Sequence, residues 1–109
     1  GYTLQPTIDC LELSNNQIEI LSESIFYGLI FRCIDFSFNR IQKVSRNAFS
    51  GLLNSLSILK FNNNEMTSYS LPAYFISKLT KLEVLYMSHN KIDKIHERSF
   101  QTVFDPRLR

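Results

Sequence analysis

The sequence predicts an α/β repeat solenoid, in which short parallel strands are returned by irregular or short helical loops. Three observations carry that expectation. Asn16, Asn39, Asn64 and Asn90 recur at separations of 23, 25 and 26 residues. The same apolar slots surround each of them. A Phe follows downstream in every unit: Phe26, Phe49, Phe75 and Phe100. Periods of this size mark architectures in which one unit cannot bury its own apolar face and stacked neighbours supply a continuous core.

The slots can be taken in chain order. Eight residues before each Asn stand Ile8, Phe31, Leu56 and Leu82. Five before stand Leu11, Ile34, Leu59 and Leu85, and three before stand Leu13, Phe36, Phe61 and Met87. Each apolar-x-apolar core, such as Leu11-Glu12-Leu13, alternates with period two and reads as a short strand. Two residues after the Asn come Ile18, Ile41, Met66 and Ile92, and five after come Leu21, Val44, Tyr69 and Ile95. The Phe follows, and then Leu29, Leu52, Leu79 or Val103. Parallel strands require a long return connection, and the second half of each unit provides it. Four units result, at about 8–30, 31–55, 56–81 and 82–104, with 1–7 as a leader or the end of a cap and 105–109 as a truncated continuation. The third unit departs from the pattern. Tyr69 stands in an aliphatic slot, and "SLPAYF" carries one extra residue before Phe75. A bulged loop is expected there, with a helical turn or two in "AYFISKL" after Pro72, since Pro suits a first helical turn.

The pattern L-x-x-L-x-L-x-x-N-x-L, with a phenylalanine on the far side, resembles the leucine-rich repeat in its longer form. The resemblance covers about residues 8–104. It implies a horseshoe fragment with the parallel sheet on the concave face, an Asn ladder of Asn16, Asn39, Asn64 and Asn90, and a Phe spine of Phe26, Phe49, Phe75 and Phe100 on the convex side. A buried amide left unpaired costs roughly 1–3 kcal/mol, which suits a ladder that bonds loop backbone inside the stack. The cysteine-rich caps of that family are absent at both ends, the chain starts on Gly1 rather than Met, and terminal caps are normally required for solubility. The natural chain is therefore expected to continue beyond Arg109 and before Gly1.

The residues between the inward slots project onto the concave face, where the repeat leaves their identity free for binding. One row holds Cys10, Cys33, Ile58 and Val84, and the next Glu12, Asp35, Lys60 and Tyr86. Beyond them lie Ser14, Ser37, Asn62 and Ser88, then Asn15, Phe38, Asn63 and His89. Glu12, Asp35, Phe38, Lys60, Tyr86 and His89 are the candidate partner-binding residues, Tyr being enriched at hot spots and aromatics at interface cores. Cys10 and Cys33 share a slot in adjacent units. Strands about 4.7–4.9 Å apart fall within disulfide reach, yet a side-by-side parallel pairing is strained. Two free thiols are the first expectation and a bridge the second.

Composition excludes more than it assigns. A net charge of +2 is too small to argue for nucleic acid. Its distribution is uneven: residues 1–31 carry Asp9, Glu12, Glu19 and Glu23 and no Lys or Arg, while all 12 basic residues lie beyond them. No run approaches the roughly 20 apolar residues of a membrane span, so membrane attachment would come from segments outside this chain. No nucleophile–base spacing, Gly-rich phosphate loop or ligand set suggests an enzyme, a metal or a cofactor. Resemblance to Toll-type receptors, chaoptin-like adhesion proteins and secreted matrix repeats implies an extracellular recognition module, with a protein ligand, a co-receptor or a second copy of the chain as partner. An intracellular scaffold or regulatory subunit is the alternative, helped by the absence of any N-x-[ST] sequon. A purely architectural segment that spaces binding regions elsewhere is the third reading.

Overall fold

A computed structural model describes residues 8–26, 28–72 and 75–92. The strands form where the apolar-x-apolar cores sit: β1 is Ile8–Glu12, β3 Phe31–Asp35, β5 Ile58–Lys60 and β6 Val84–Tyr86. They pair in parallel in the order β1-β3-β5-β6. The register follows the repeat, with Leu11 opposite Ile34, and Leu59 opposite both Ile34 and Leu85. On the return side, β2 (Ile20–Leu21) pairs in parallel with β4 (Lys43–Val44). A 3₁₀ turn at Ser50–Leu52 and the short helix α1 at Phe75–Lys78 complete the connections.

The core lies between the sheet and the return loops. Ile34, Phe36, Ile41, Leu52, Leu56, Leu59, Phe61 and Met66 are fully buried. Phe26, Phe49 and Phe75 are also buried and meet as a row, with ring centroids 5.5 Å apart for Phe26–Phe49 and 5.4 Å for Phe49–Phe75. The row does not stand apart from the sheet. Phe36 packs against Phe26 at 5.9 Å and Phe49 at 6.2 Å, and stacks on Phe61 at 5.6 Å. The aromatics thus bridge strand to return loop as well as unit to unit. Phe100, like residues 1–7 and 93–109 generally, lies outside the described residues.

Where each strand ends, the chain turns through a residue with positive φ: Asn15, Phe38, Asn63 and His89, at 57–60°. The turn takes the backbone out of the sheet, and the following Asn replaces the bonds so lost. Asn64 Nδ2 donates to the carbonyls of Phe61 and Asn62 in its own unit and of Phe36 in the preceding one, while its Oδ1 accepts the Ile41 N–H at 2.9 Å. Asn39 repeats this toward Leu13 and Ile18, and Asn90 toward Phe61 and Met66. Asn39 and Asn64 are both buried. Asn16 is exposed and, among the described residues, bonds the carbonyls of Leu13 and Ser14 within its own unit.

Two slots differ from the sequence expectation. Tyr69 is 73% exposed instead of filling the aliphatic position. The extra residue of the third unit closes a tight turn, in which Ser70 N–H bonds the Thr67 carbonyl and the Ser70 hydroxyl accepts the Thr67 N–H. Ser70 and Leu71 are buried there, and the Ser70 carbonyl takes the Val44 N–H. Leu29 is exposed while Leu52 and Leu79 are buried, because no described residue stacks in front of the first unit.

Two predictions follow from this packing. Asn64→Ala orphans one buried N–H and several carbonyls and should cost roughly 3 kcal/mol in chemical denaturation, whereas Asn16→Ala should cost well under half of that. Phe36→Ala should cost about 3–5 kcal/mol, while Tyr69→Ser should stay within about 0.5 kcal/mol of the parent.

Candidate protein-binding face

The outer face of the four-stranded sheet carries the residues that the inward slots do not use. Strand pairing brings Glu12, Asp35, Lys60 and Tyr86 into one row of successive partners, Glu12 opposite Asp35, Asp35 opposite Lys60 and Lys60 opposite Tyr86. The row runs from two carboxylates to a cation and then an aromatic ring. Glu12 and Tyr86 are exposed, whereas Asp35 and Lys60 are half-buried. Lys60 Nζ sits 5.9 Å from the Tyr86 ring centroid, within cation–π range. Tyr86 remains 46% exposed beside it.

Asp35 is fixed as well. Its Oδ1 accepts both the backbone N–H and the hydroxyl of Ser37. One row further, Asn62 Oδ1 accepts the N–H and the hydroxyl of Ser88, each at 3.0 Å, and links the third unit to the fourth. Ser37, Asn62 and Ser88 thus order this face. For Ser37 the signal was its place two positions after the strand carboxylate Asp35, which favours local side-chain-to-backbone bonding; Asn62 and Ser88 follow Lys60 and Tyr86 and bond across 26 residues, so only their shared slot in successive units pointed to them.

Phe38 and His89 do not share the strand row. Both stand in the positive-φ turn position, at 57°, with Asn15 and Asn63 in the same slot. Asn tolerates this conformation, whereas a bulky side chain there is a backbone outlier. Phe38 nonetheless occupies it with its ring 56% exposed. The residue is displayed at the edge of the face, one position past Ser37. The two Asn residues in that slot were the sequence sign of a left-handed turn.

Cys10 and Cys33 are opposite each other in β1 and β3 with Cα atoms 4.2 Å apart, and the structure joins them in a disulfide. The expectation of two free thiols is therefore corrected: in-register parallel pairing brings the Cα atoms close enough for the bridge to form. Cys33 is buried and Cys10 half-buried.

A separate cleft of about 220 Å³ opens on the return side, between the 3₁₀ turn and α1, and includes Arg46, Phe49, Leu53, Phe75 and Lys78 in its lining. Phe49 and Phe75 are almost entirely buried beneath it. It therefore offers an occupant little apolar area, and it shares no residue with the sheet face.

Residues 54–99 match the family model for leucine-rich repeats in two copies. That stretch is similar to leucine-rich repeats. The match spans the third unit and most of the fourth, and the parallel strands of the described region fit the same α/β repeat fold. No curated protein and no solved structure matches the chain. Leucine-rich repeat modules generally mediate protein–protein interaction.

The turn geometry generates a prediction. Phe38→Asn should raise stability by about 1 kcal/mol, because Asn adopts positive φ at lower cost than Phe. For a domain of this size that is a melting-temperature increase of roughly 4–8 °C, measurable by circular dichroism.

Proposed function

We propose that the chain is a protein-binding leucine-rich repeat module of a cell-surface receptor or adhesion protein, and that it recognises its partner through the concave sheet face of a solenoid. The observation that carries the reading is the aligned row Glu12–Asp35–Lys60–Tyr86. The repeat requires none of these side chains, yet Asp35 is held in place by Ser37, and Lys60 lies over the Tyr86 ring. Pre-ordered side chains lose less conformational entropy on binding. Phe38 and His89 extend the surface beyond the strand ends, and Tyr86 and Phe38 supply the exposed rings around which hot spots form.

The Cys10–Cys33 disulfide supports the extracellular setting, since such bonds persist in oxidising compartments and are rare in the cytosol. The missing N-x-[ST] sequon favours the second reading, an intracellular scaffold. Surface biotinylation of the tagged full-length protein in its native cell type separates the two. Labelling, or recovery from the medium, supports the receptor or adhesion reading, and a purely cytosolic protein overturns it. For the face itself, Asp35→Lys with Tyr86→Ala should weaken binding to the partner recovered from that surface roughly 30-fold or more. Unchanged affinity in a variant that keeps its circular dichroism spectrum would remove this face from the reading.

A further inference from the structure

The return side carries a surface chemically unlike the sheet face. Beside the cleft between the 3₁₀ turn and α1 lies a shallower hollow of about 340 Å³, with Glu23, Lys43, Arg46 and Tyr69 in its lining. Arg46 lines both cavities, so the two meet at its side chain. Three cations stand around them, Lys43 and Arg46 from the second unit and Lys78 from the third, and all three are exposed. The described lining holds one carboxylate, Glu23, and among the described residues no ion pair joins it to Lys43 or Arg46. In the cleft, the exposed side chains of Arg46, Asn47, Ser50 and Lys78 make no hydrogen bond or ion pair among the described residues, which leaves their donors open to a ligand. Tyr69, turned outward by the Thr67–Ser70 turn, displays its ring in the hollow at 73% exposure. Apolar area is scarce, since Phe49, Phe75 and Leu79 are each 5% exposed or less.

We propose that this surface binds a sulfated oligosaccharide. An acyl or aryl ligand needs apolar area that the cavities do not offer. A lone small anion gains little from exposed, mobile cations, each of which is weak in water. A chain with sulfates on successive sugars engages Lys43, Arg46 and Lys78 together, so that one contact raises the effective concentration of the next, and it releases its counterions as it binds. A sulfate presents oxygens that match the guanidinium fork of Arg46. The Asn47 amide and the Ser50 hydroxyl each donate and accept, which suits sugar hydroxyls, and the Tyr69 ring offers its face to the C–H side of a sugar. A nucleic-acid strand instead wants several rings for successive bases, and Tyr69 is the one exposed ring in the described lining. No residue of this surface belongs to the Glu12–Asp35–Lys60–Tyr86 row, so the proposal stands whether or not the sheet face binds a partner.

Isothermal titration of the chain with a heparin octasaccharide, and with the same chain desulfated, tests it. The sulfated chain should bind, and raising salt from about 50 to about 150 mM should weaken it roughly 10-fold, as three neutralised charges require. Arg46→Glu/Lys78→Glu should weaken it about 10-fold or more. Arg40→Glu/Lys81→Glu makes the same change of net charge at exposed residues that line neither cavity, and should stay within about 3-fold of the parent. Tyr69→Ser should weaken binding roughly 5-fold. Circular dichroism checks that each variant keeps its fold. Absence of binding at the lower salt overturns the proposal. Equal weakening by the two charge reversals also overturns it, because net charge alone would then account for the affinity. So does equal binding of the desulfated chain. Tighter binding of a single-stranded oligonucleotide of matched charge, lost in Arg46→Glu/Lys78→Glu, overturns it in favour of nucleic acid.

Discussion

The fold depends on a hydrogen-bonding problem solved the same way at each strand end. A chain that must leave a parallel sheet and return one layer further on has to turn, and the turn strips backbone groups of their sheet partners. Buried groups in that state are costly. One carboxamide, placed directly after a left-handed residue, supplies both a donor and an acceptor, and reaches backbone in two units at once. The strand positions, the burial of Phe36 and Phe61, and the outward row of Glu12, Asp35, Lys60 and Tyr86 all follow from holding that turn in register.

Around this constraint the two sides of the sheet divide their tasks. The inner side is tied together by aromatic contacts, with Phe36 stacked on Phe61 and packed against both Phe26 and Phe49. The rest of that side is aliphatic, with Ile34, Ile41, Leu52, Leu56, Leu59 and Met66 fully buried around the rings. The outer side is ordered by polar contacts of its own, Asp35 with Ser37, Asn62 with Ser88, and Lys60 over Tyr86. Phe38 belongs to both sides of this division: its backbone serves the turn, and its ring serves the surface.

The repeat was legible in the sequence because its rules are periodic. A slot defined by spacing from the Asn predicts strand, register and inward direction together. What was not legible is local. Tyr69 sits at the right distance from Asn64, and only the turn closed by Thr67 and Ser70 shows that it points outward. Leu29 occupies the same slot as Leu52, but its burial depends on a neighbour rather than on its own unit. The cysteine pair was correctly placed side by side, but whether sulfur bonds sulfur depends on Cα separation, which spacing in the sequence does not specify. The candidate row was readable as a row, but not its internal contacts, which depend on rotamers. Phe38 and His89 were read as sheet-face residues and stand instead in the turn.

The Asn clamps all point one way. Each unit is fastened by the one that follows it, using an amide that the later unit brings with it. A duplicated stretch of chain therefore arrives carrying its own fastener and needs nothing new from the unit it joins, provided the length between strand and Asn is kept. Length errors on the far side are absorbed, as the third unit shows with its additional residue. Such a gene can lengthen or shorten by whole units through unequal recombination and still encode a folded product, each event widening or narrowing the outer face by one strand.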